Sequence, residues 1–217
     1  MGSDELTIKR IITGEWEENC YIINDIHQNA IVIDPGARGI DIIGYIKSNK
    51  LHFHAILNTH AHYDHIGAVE ELKKEFTVPF YLHSQDLRLL KHANFYVKLF
   101  HGAGPVSIPD IDFYLDKMEN PLVFEEMIIR IHFTPGHTNG SVCFSINNCL
   151  FTGDTIFGGN IGRTDLPGGN KSLLGKSLKI ITELPENTVI YPGHGESTIL
   201  SRELQYNKKF IEALTWE

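Results

Sequence analysis

Thr59-His60-Ala61-His62-Tyr63-Asp64-His65-Ile66-Gly67 sets three histidines and an aspartate within six positions. Before it, Ala55 to Asn58 reads as a buried strand. After it, Ile66, Val69, Leu72 and Phe76 recur at i, i+3, i+6 and i+10, the spacing of an amphipathic helix. The segment is therefore a strand-to-helix turn. Histidines at i and i+2 at the end of an extended stretch converge on one ion when the chain turns. Asp64 and His65, a turn later, point elsewhere and can serve a second. Imidazole with carboxylate suits zinc, iron or manganese. A single histidine here would read as a surface residue and Asp64 as a helix N-cap; the four together exceed that reading.

Three further ligand candidates follow the same punctuation: each comes after a strand and beside a glycine. They are His137 in Phe133-Thr134-Pro135-Gly136-His137, Asp154 in Leu150-Phe151-Thr152-Gly153-Asp154, and His194 in Tyr191-Pro192-Gly193-His194. Glycine lets the backbone turn sharply, so a strand-end side chain can project into a cleft. Any one of these is weak; their recurrence in order is strong.

Outward from these motifs, Leu6 to Thr13, Cys20 to Asn24, Ala30 to Ile33, Pro79 to His83, Met127 to Phe133, Val142 to Ile146, Leu150 to Thr152 and Thr188 to Tyr191 read as strands. Helical spacing marks Gly39 to Lys50, a helix capped by Ser84 and reaching about Phe100, one through Leu174, Leu178 and Ile181, and a last one through Leu200, Leu204, Ile211 and Leu214. His101 to Pro121 reads as loop. Strands lead each half and a helix closes each half. The expectation is an α+β fold: a four-layer αββα sandwich of two mixed sheets flanked by helices, one domain over residues 1–217.

The chain has 217 residues, 42% hydrophobic and 21% charged, as a globular domain requires. Its net charge of -8 argues against a nucleic-acid partner. No apolar run reaches the ~18 residues of a membrane span, and the polar, acidic start lacks a secretion signal, so the cytoplasm is expected. Cys20, Cys143 and Cys149 form no CxxC pair and read as reduced thiols. Of twelve histidines, five lie in the motifs. His27, His52, His54, His83, His92, His101 and His132 match none and are expected in loops or helices, apart from His132 in a strand. Phe95 and Tyr96 read as a packed aromatic face or as a pocket wall.

HxHxDH followed by a lone His, a lone Asp and a last His resembles the ligand set of the metallo-β-lactamase superfamily, from Ile33-Asp34-Pro35-Gly36 to His194. The resemblance implies that His60, His62 and His137 hold one metal, that Asp64, His65 and His194 hold a second, and that Asp154 bridges them. It implies two divalent ions, zinc foremost with iron or manganese open, and Asp64 and Asp154 as the carboxylates at the reacting centre. It gives Asp34 a supporting role beneath the His loop, where a carboxylate can orient a ligating imidazole; a simple Asp-Pro-Gly turn is the other reading.

Among branches, two-zinc β-lactamases typically place Cys at the position of Asp154 and lack His65. Flavo-diiron proteins have Glu at the place of His62, and RNA-processing members carry added segments. Gly162-Arg163-Thr164-Asp165, within Phe157 to Gly169, is similar to the element of compact glyoxalase II-like enzymes. This implies a hydrolase of thioesters such as 2-hydroxyacylglutathione, in which two cations sharing a water lower its pKa toward ~7. Arg163 either braces its loop against Asp165 or clamps an anionic substrate. The alternative is a persulfide dioxygenase with one Fe(II) on His60, His137 and Asp154; a lactonase is a further one. The helical extension with which larger glyoxalase II enzymes contact glutathione has no counterpart after His194. The substrate's thiol half is therefore glutathione or another thiol, and oligomeric state stays open.

Overall fold

The computed structural model describes residues 6–100 and 104–217; His101 and the N-terminal residues 1–5 lie outside them. β1 (Thr7–Thr13), β2 (Glu18–Asn24), β3 (Asn29–Ile33), β4 (His52–Leu57), β5 (Phe80–Leu82) and β6 (Phe113–Tyr114) form one sheet in chain order. The first three strands are antiparallel, and β3 onward run parallel. In the second sheet β7 (Leu122–Phe124), β8 (Met127–Phe133), β9 (Val142–Ile146) and β10 (Cys149–Gly153) meander antiparallel. The chain then makes a small hairpin, β11 (Ile156–Phe157) and β12 (Asn160–Ile161), before β13 (Val189–Pro192) joins β10 in parallel and β14 (Thr198–Ile199) closes the edge.

Alternation along each strand sorts the apolar residues into layers. Tyr21, Ile23, Ile31, Ile33 and Leu57 meet Met127, Ile129, Phe144 and Phe151 between the sheets. Their neighbours Cys20, Ile22, Val32 and Ile56 face outward, onto Ile42 and Ile46 of α1 (Gly39–Ser48) and Val69 and Leu72 of α3 (Val69–Phe76). Beyond the second sheet, Cys143, Leu150 and Ile190 pack on Leu174, Leu178 and Ile181 of α6 (Lys171–Thr182) and Phe210 of a C-terminal helix. Each such side chain contributes about 1.5–3 kcal/mol by leaving water. The result is the four-layer αββα sandwich that the sequence predicts.

Three helices differ from expectation. The motif helix begins early, as α2 (Tyr63–Ile66), and pauses at Gly67 before α3. The segment from Ser84 is a 3₁₀ turn capped by the His83 ring, then α4 (Leu87–Lys91) and α5 (Ala93–Phe100). Asp86, at the end of the 3₁₀ turn, faces inward and accepts hydrogen bonds from the core, and at the junction of α4 and α5 the His92 ring donates to the Arg88 carbonyl at 2.8 Å. The last helix divides into α7 (Leu200–Tyr206) and α8 (Lys208–Ala213), since the Asn207 side chain caps Phe210 N at 3.0 Å. Against expectation, His52 and His54 lie in β4, where His54 meets the Asn29 side chain at 3.1 Å. Part of the expected loop before Pro121 forms β6 and a 3₁₀ turn. No helix among the described residues is long and apolar enough to cross a membrane.

Candidate metal centre

The C-terminal ends of β3, β4, β8, β10 and β13 open onto one edge of the sandwich, and each delivers a motif residue there. Two local features force this. Gly153 has φ +47°, and a Cβ on it would stand 2.2 Å from Thr59 Oγ1. A Cβ on Gly193 would stand 2.4 Å from Asp154 Oδ1 and 2.8 Å from His65 Cε1. Glycine beside these ligands is thus a requirement of close approach. Backbone bonds tie the loops across the edge: Val142 N donates to Thr59 O (2.9 Å), Gly193 N to Gly153 O (2.8 Å) and Asn19 N to Gly193 O (2.7 Å).

All seven expected ligands meet. His60, His62, His137 and Asp154 form one group, and Asp64, His65 and His194 another, with the chosen ligand atoms of each group within 4.8 Å of one another. In the first, His62 Nδ1 lies 3.0 Å from His60 Nε2 and 2.9 Å from His137 Nε2. In the second, His194 Nε2 lies 3.5 Å and His65 Nε2 3.9 Å from Asp64 Oδ2. Asp154 stands between them. Its Oδ2 is 3.4 Å from His137 Nε2, and its Oδ1 is 3.5 Å from His65 Nε2 and 3.7 Å from His194 Nε2.

Proton positions follow from the outer partners. His137 Nδ1 is 2.9 Å from the Arg163 carbonyl and His194 Nδ1 is 2.9 Å from the Trp16 carbonyl. A carbonyl only accepts, so both Nδ1 atoms carry hydrogen, and Nε2 is the nitrogen each ring presents to the centre and can offer to a cation. Asp34 acts behind both groups. It accepts from Thr59 N (2.7 Å), from Thr59 Oγ1 (2.5 Å) and from His65 Nδ1 (3.0 Å). Thr59 Oγ1, its hydrogen given to Asp34, accepts from His60 Nδ1 at 3.0 Å. The expected supporting carboxylate therefore faces His65 directly and His60 through a hydroxyl.

Burial and charge divide the groups. Burial lowers the pKa of His60 well below its ordinary value and that of His62 to about 3. Burial opposes charge on His65 as well, but Asp154, Asp64 and Asp34 outweigh it and hold its pKa well above the usual value. His194 is raised likewise by Asp64 and Asp154 against its burial. Burial pushes the Asp154 carboxyl up, yet His65, His194 and His137 bring it well below the ordinary range, so it is anionic. Among the described residues, four buried side-chain atoms have no hydrogen-bond partner, Glu18 Oε1, Asn58 Oδ1, His65 Nε2 and Asp154 Oδ1, and the last two face one another at 3.5 Å. Orphaned buried polar atoms are costly. A cation between them, and another among the three crowded imidazole nitrogens, would satisfy both groups. The donor set fits divalent metals.

Sequence reasoning missed three positioning residues. Asp86, fully buried, accepts from Ala61 N (2.9 Å), Thr138 Oγ1 (2.9 Å) and Gly140 N (2.7 Å), and so brackets the His60–His62 loop to the His137 loop. Glu18, also buried, takes the Thr13 hydroxyl at 2.7 Å beneath His65, and burial raises its pKa. Trp16 offers the carbonyl that orients His194. No local pattern announces these, because the loops and rings they position, His65 for Glu18 and His194 for Trp16 among them, lie far off in the chain.

Over the centre lies a cleft of ≈ 350 Å³, walled by Trp16, Tyr63, Leu89, Tyr96, Leu166 and Pro167, with Arg163 at its rim. Arg163 Nε and Nη2 each donate to Asp165 at 2.8 Å, so its side chain braces the loop while its carbonyl holds His137. Of the other aromatic candidates, Tyr96 lines the cleft and Phe95 is exposed. His83 stacks on Phe133, ring centroids 4.5 Å apart.

This fold and edge site define a metallo-hydrolase class. The sequence profile of the metallo-beta-lactamase superfamily matches residues 13–194, and the chain belongs to that superfamily. It is similar to Probable metallo-hydrolase YqgX of Bacillus subtilis, 36% identical over 92% of this chain and 95% of the relative. It is similar to hydroxyacylglutathione hydrolase GloC of Haemophilus influenzae, 32% identical over 93% and 97%. Two solved structures resemble it closely. The BLEG-1 B3 metallo-beta-lactamase superposes with TM-score 0.88 at 34% identity, covering 93% of this chain and 98% of that one. TTHA1623 in a di-iron-bound form gives 0.81 at 32%, covering 92% and 98%.

Proposed function

We propose that this chain is a binuclear thioester hydrolase acting on 2-hydroxyacyl conjugates of glutathione or another thiol. His60, His62, His137 and Asp154 hold one divalent ion, and Asp64, His65, His194 and Asp154 the other. The observation that carries this reading is Asp154, with one oxygen turned to each group of imidazoles. Bound cations supply a Lewis acid for a carbonyl oxygen and lower the pKa of water toward ~7. The protein does the rest. Asp34, Thr59 and the carbonyls of Trp16 and Arg163 keep four imidazole lone pairs aimed inward. Asp64 and Asp154 stay anionic, balancing the cations. Trp16, Tyr63 and Tyr96 shield the acyl group from water, and a thiolate leaves with little help from an acid.

Zinc is the first candidate metal. The di-iron form of TTHA1623 makes iron the principal competitor. His62 Nδ1 shares the first group equally with His60 and His137, which favours a three-imidazole site over a lone Fe(II) on His60, His137 and Asp154. The three unpaired cysteines suit a reducing, cytoplasmic setting. The test is metal content of purified protein alongside turnover of S-lactoylglutathione, a lactone, a β-lactam and a persulfide with oxygen uptake. Two metals per chain with thioester turnover is the expected result. One iron with persulfide-dependent oxygen uptake overturns it.

A further inference from the structure

Beyond the metal cleft, on the other side of His194, lies a second cavity of ≈ 440 Å³. His194 is the wall that the two share. The far walls are the Gly158-Gly159 turn of the β11–β12 hairpin, residues 195–198, and α7 with Arg202 and Tyr206. These walls are stapled in place. Glu203, buried, accepts from Gly159 N (2.8 Å), Thr198 Oγ1 (2.6 Å) and Asn207 Nδ2 (2.9 Å), and Asn207 Nδ2 also donates to Asn160 O at 2.9 Å.

Charge in this cavity is lopsided. Glu203 is fully engaged, and Glu196 is paired with Arg10 at 2.8 Å. Arg202 is exposed and makes no ion pair among the described residues, in a chain of net charge -8. Ser197 and Tyr206 are also turned outward there. Gly159 and Gly195, at φ +73° and +78°, need glycine for their backbone; Gly158 does not, and a Cβ on it would meet nothing closer than 3.9 Å. Space is thus kept open at a position where a side chain would fit.

We propose that this cavity seats the leaving-group arm of the substrate, an extended polar thiol whose carboxylate pairs with Arg202. The proposal rests on the thioester reading. Two lactoyl thioesters test it on zinc-loaded full-length protein, one of glutathione and one of the short, neutral N-acetylcysteamine. Gly158→Leu, which fills the cavity, should cut the preference for the glutathione thioester by about tenfold or more. Arg202→Ala should cut it about fivefold, the scale of an exposed ion pair. Both losses should fall on KM, with metal content as in wild type. No preference in wild type, or a preference that survives both variants, overturns the proposal. If wild type hydrolyses neither thioester, the thioester reading has failed on its own. Calorimetry with free glutathione then decides the cavity: binding to zinc-loaded wild type that Gly158→Leu removes supports it, and absent or unaltered binding rejects it.

Discussion

The two halves of the candidate centre use the same imidazoles in opposite surroundings. His60, His62 and His137 are held by neutral groups: the Thr59 hydroxyl, the Arg163 carbonyl and a loop bracketed by Asp86 at a distance. Burial there keeps His60 and His62 uncharged. His65 and His194 sit among Asp64, Asp154 and Asp34, whose negative potential draws in positive charge. One half relies on positional precision, the other on charge; Asp154 faces both, and Asp34 stands behind both.

That contrast ranks the expected effects. Asp154→Ala removes the shared member; turnover should fall by about 10³-fold or more, and bound metal in both halves should drop. Retention of two metals and full turnover would remove Asp154 from its place. Asp86→Asn keeps the volume but deprives one of three buried donors; unfolding free energy should fall by about 2–4 kcal/mol in urea titrations. Its metal deficit should be confined to the His60–His62–His137 half, and a uniform deficit would show that the halves are not separately built. Asp34→Asn loses an acceptor facing Thr59 or His65, and metal affinity should weaken about 10–100-fold by competition with a chelator. Because Asp34 stands behind both halves, this loss should be shared between them. Arg163→Ala comes last. The carbonyl that holds His137 remains, and the pair with Asp165 lies in solvent, where ion pairs contribute little, so the melting temperature should barely move. A rise in KM for anionic substrates alone would add a clamp to its bracing role.

Much of the site was legible because its signals are local. HxHxDH spans one strand-to-helix turn, and the glycines beside His137, Asp154 and His194 mark strand ends where side chains crowd. The helices were less legible. Asp86 and Asn207 turn their side chains to partners that spacing does not reveal, at points where two continuous-looking helices are interrupted.

Sequence alone indicated the layers, since the alternation of apolar positions is a property of neighbours in the chain, and its motifs, through their resemblance to a known ligand set, indicated which residues would gather. Tertiary structure decided which nitrogen of each ring faces inward, that Asp34 reaches His60 through Thr59, and that Asp86 joins two loops. It also decided that Arg202, with no ion pair among the described residues, borders a second cavity. These depend on atoms brought within 3 Å across separations as long as the 178 residues between Trp16 and His194, where no pattern along the chain can register the meeting.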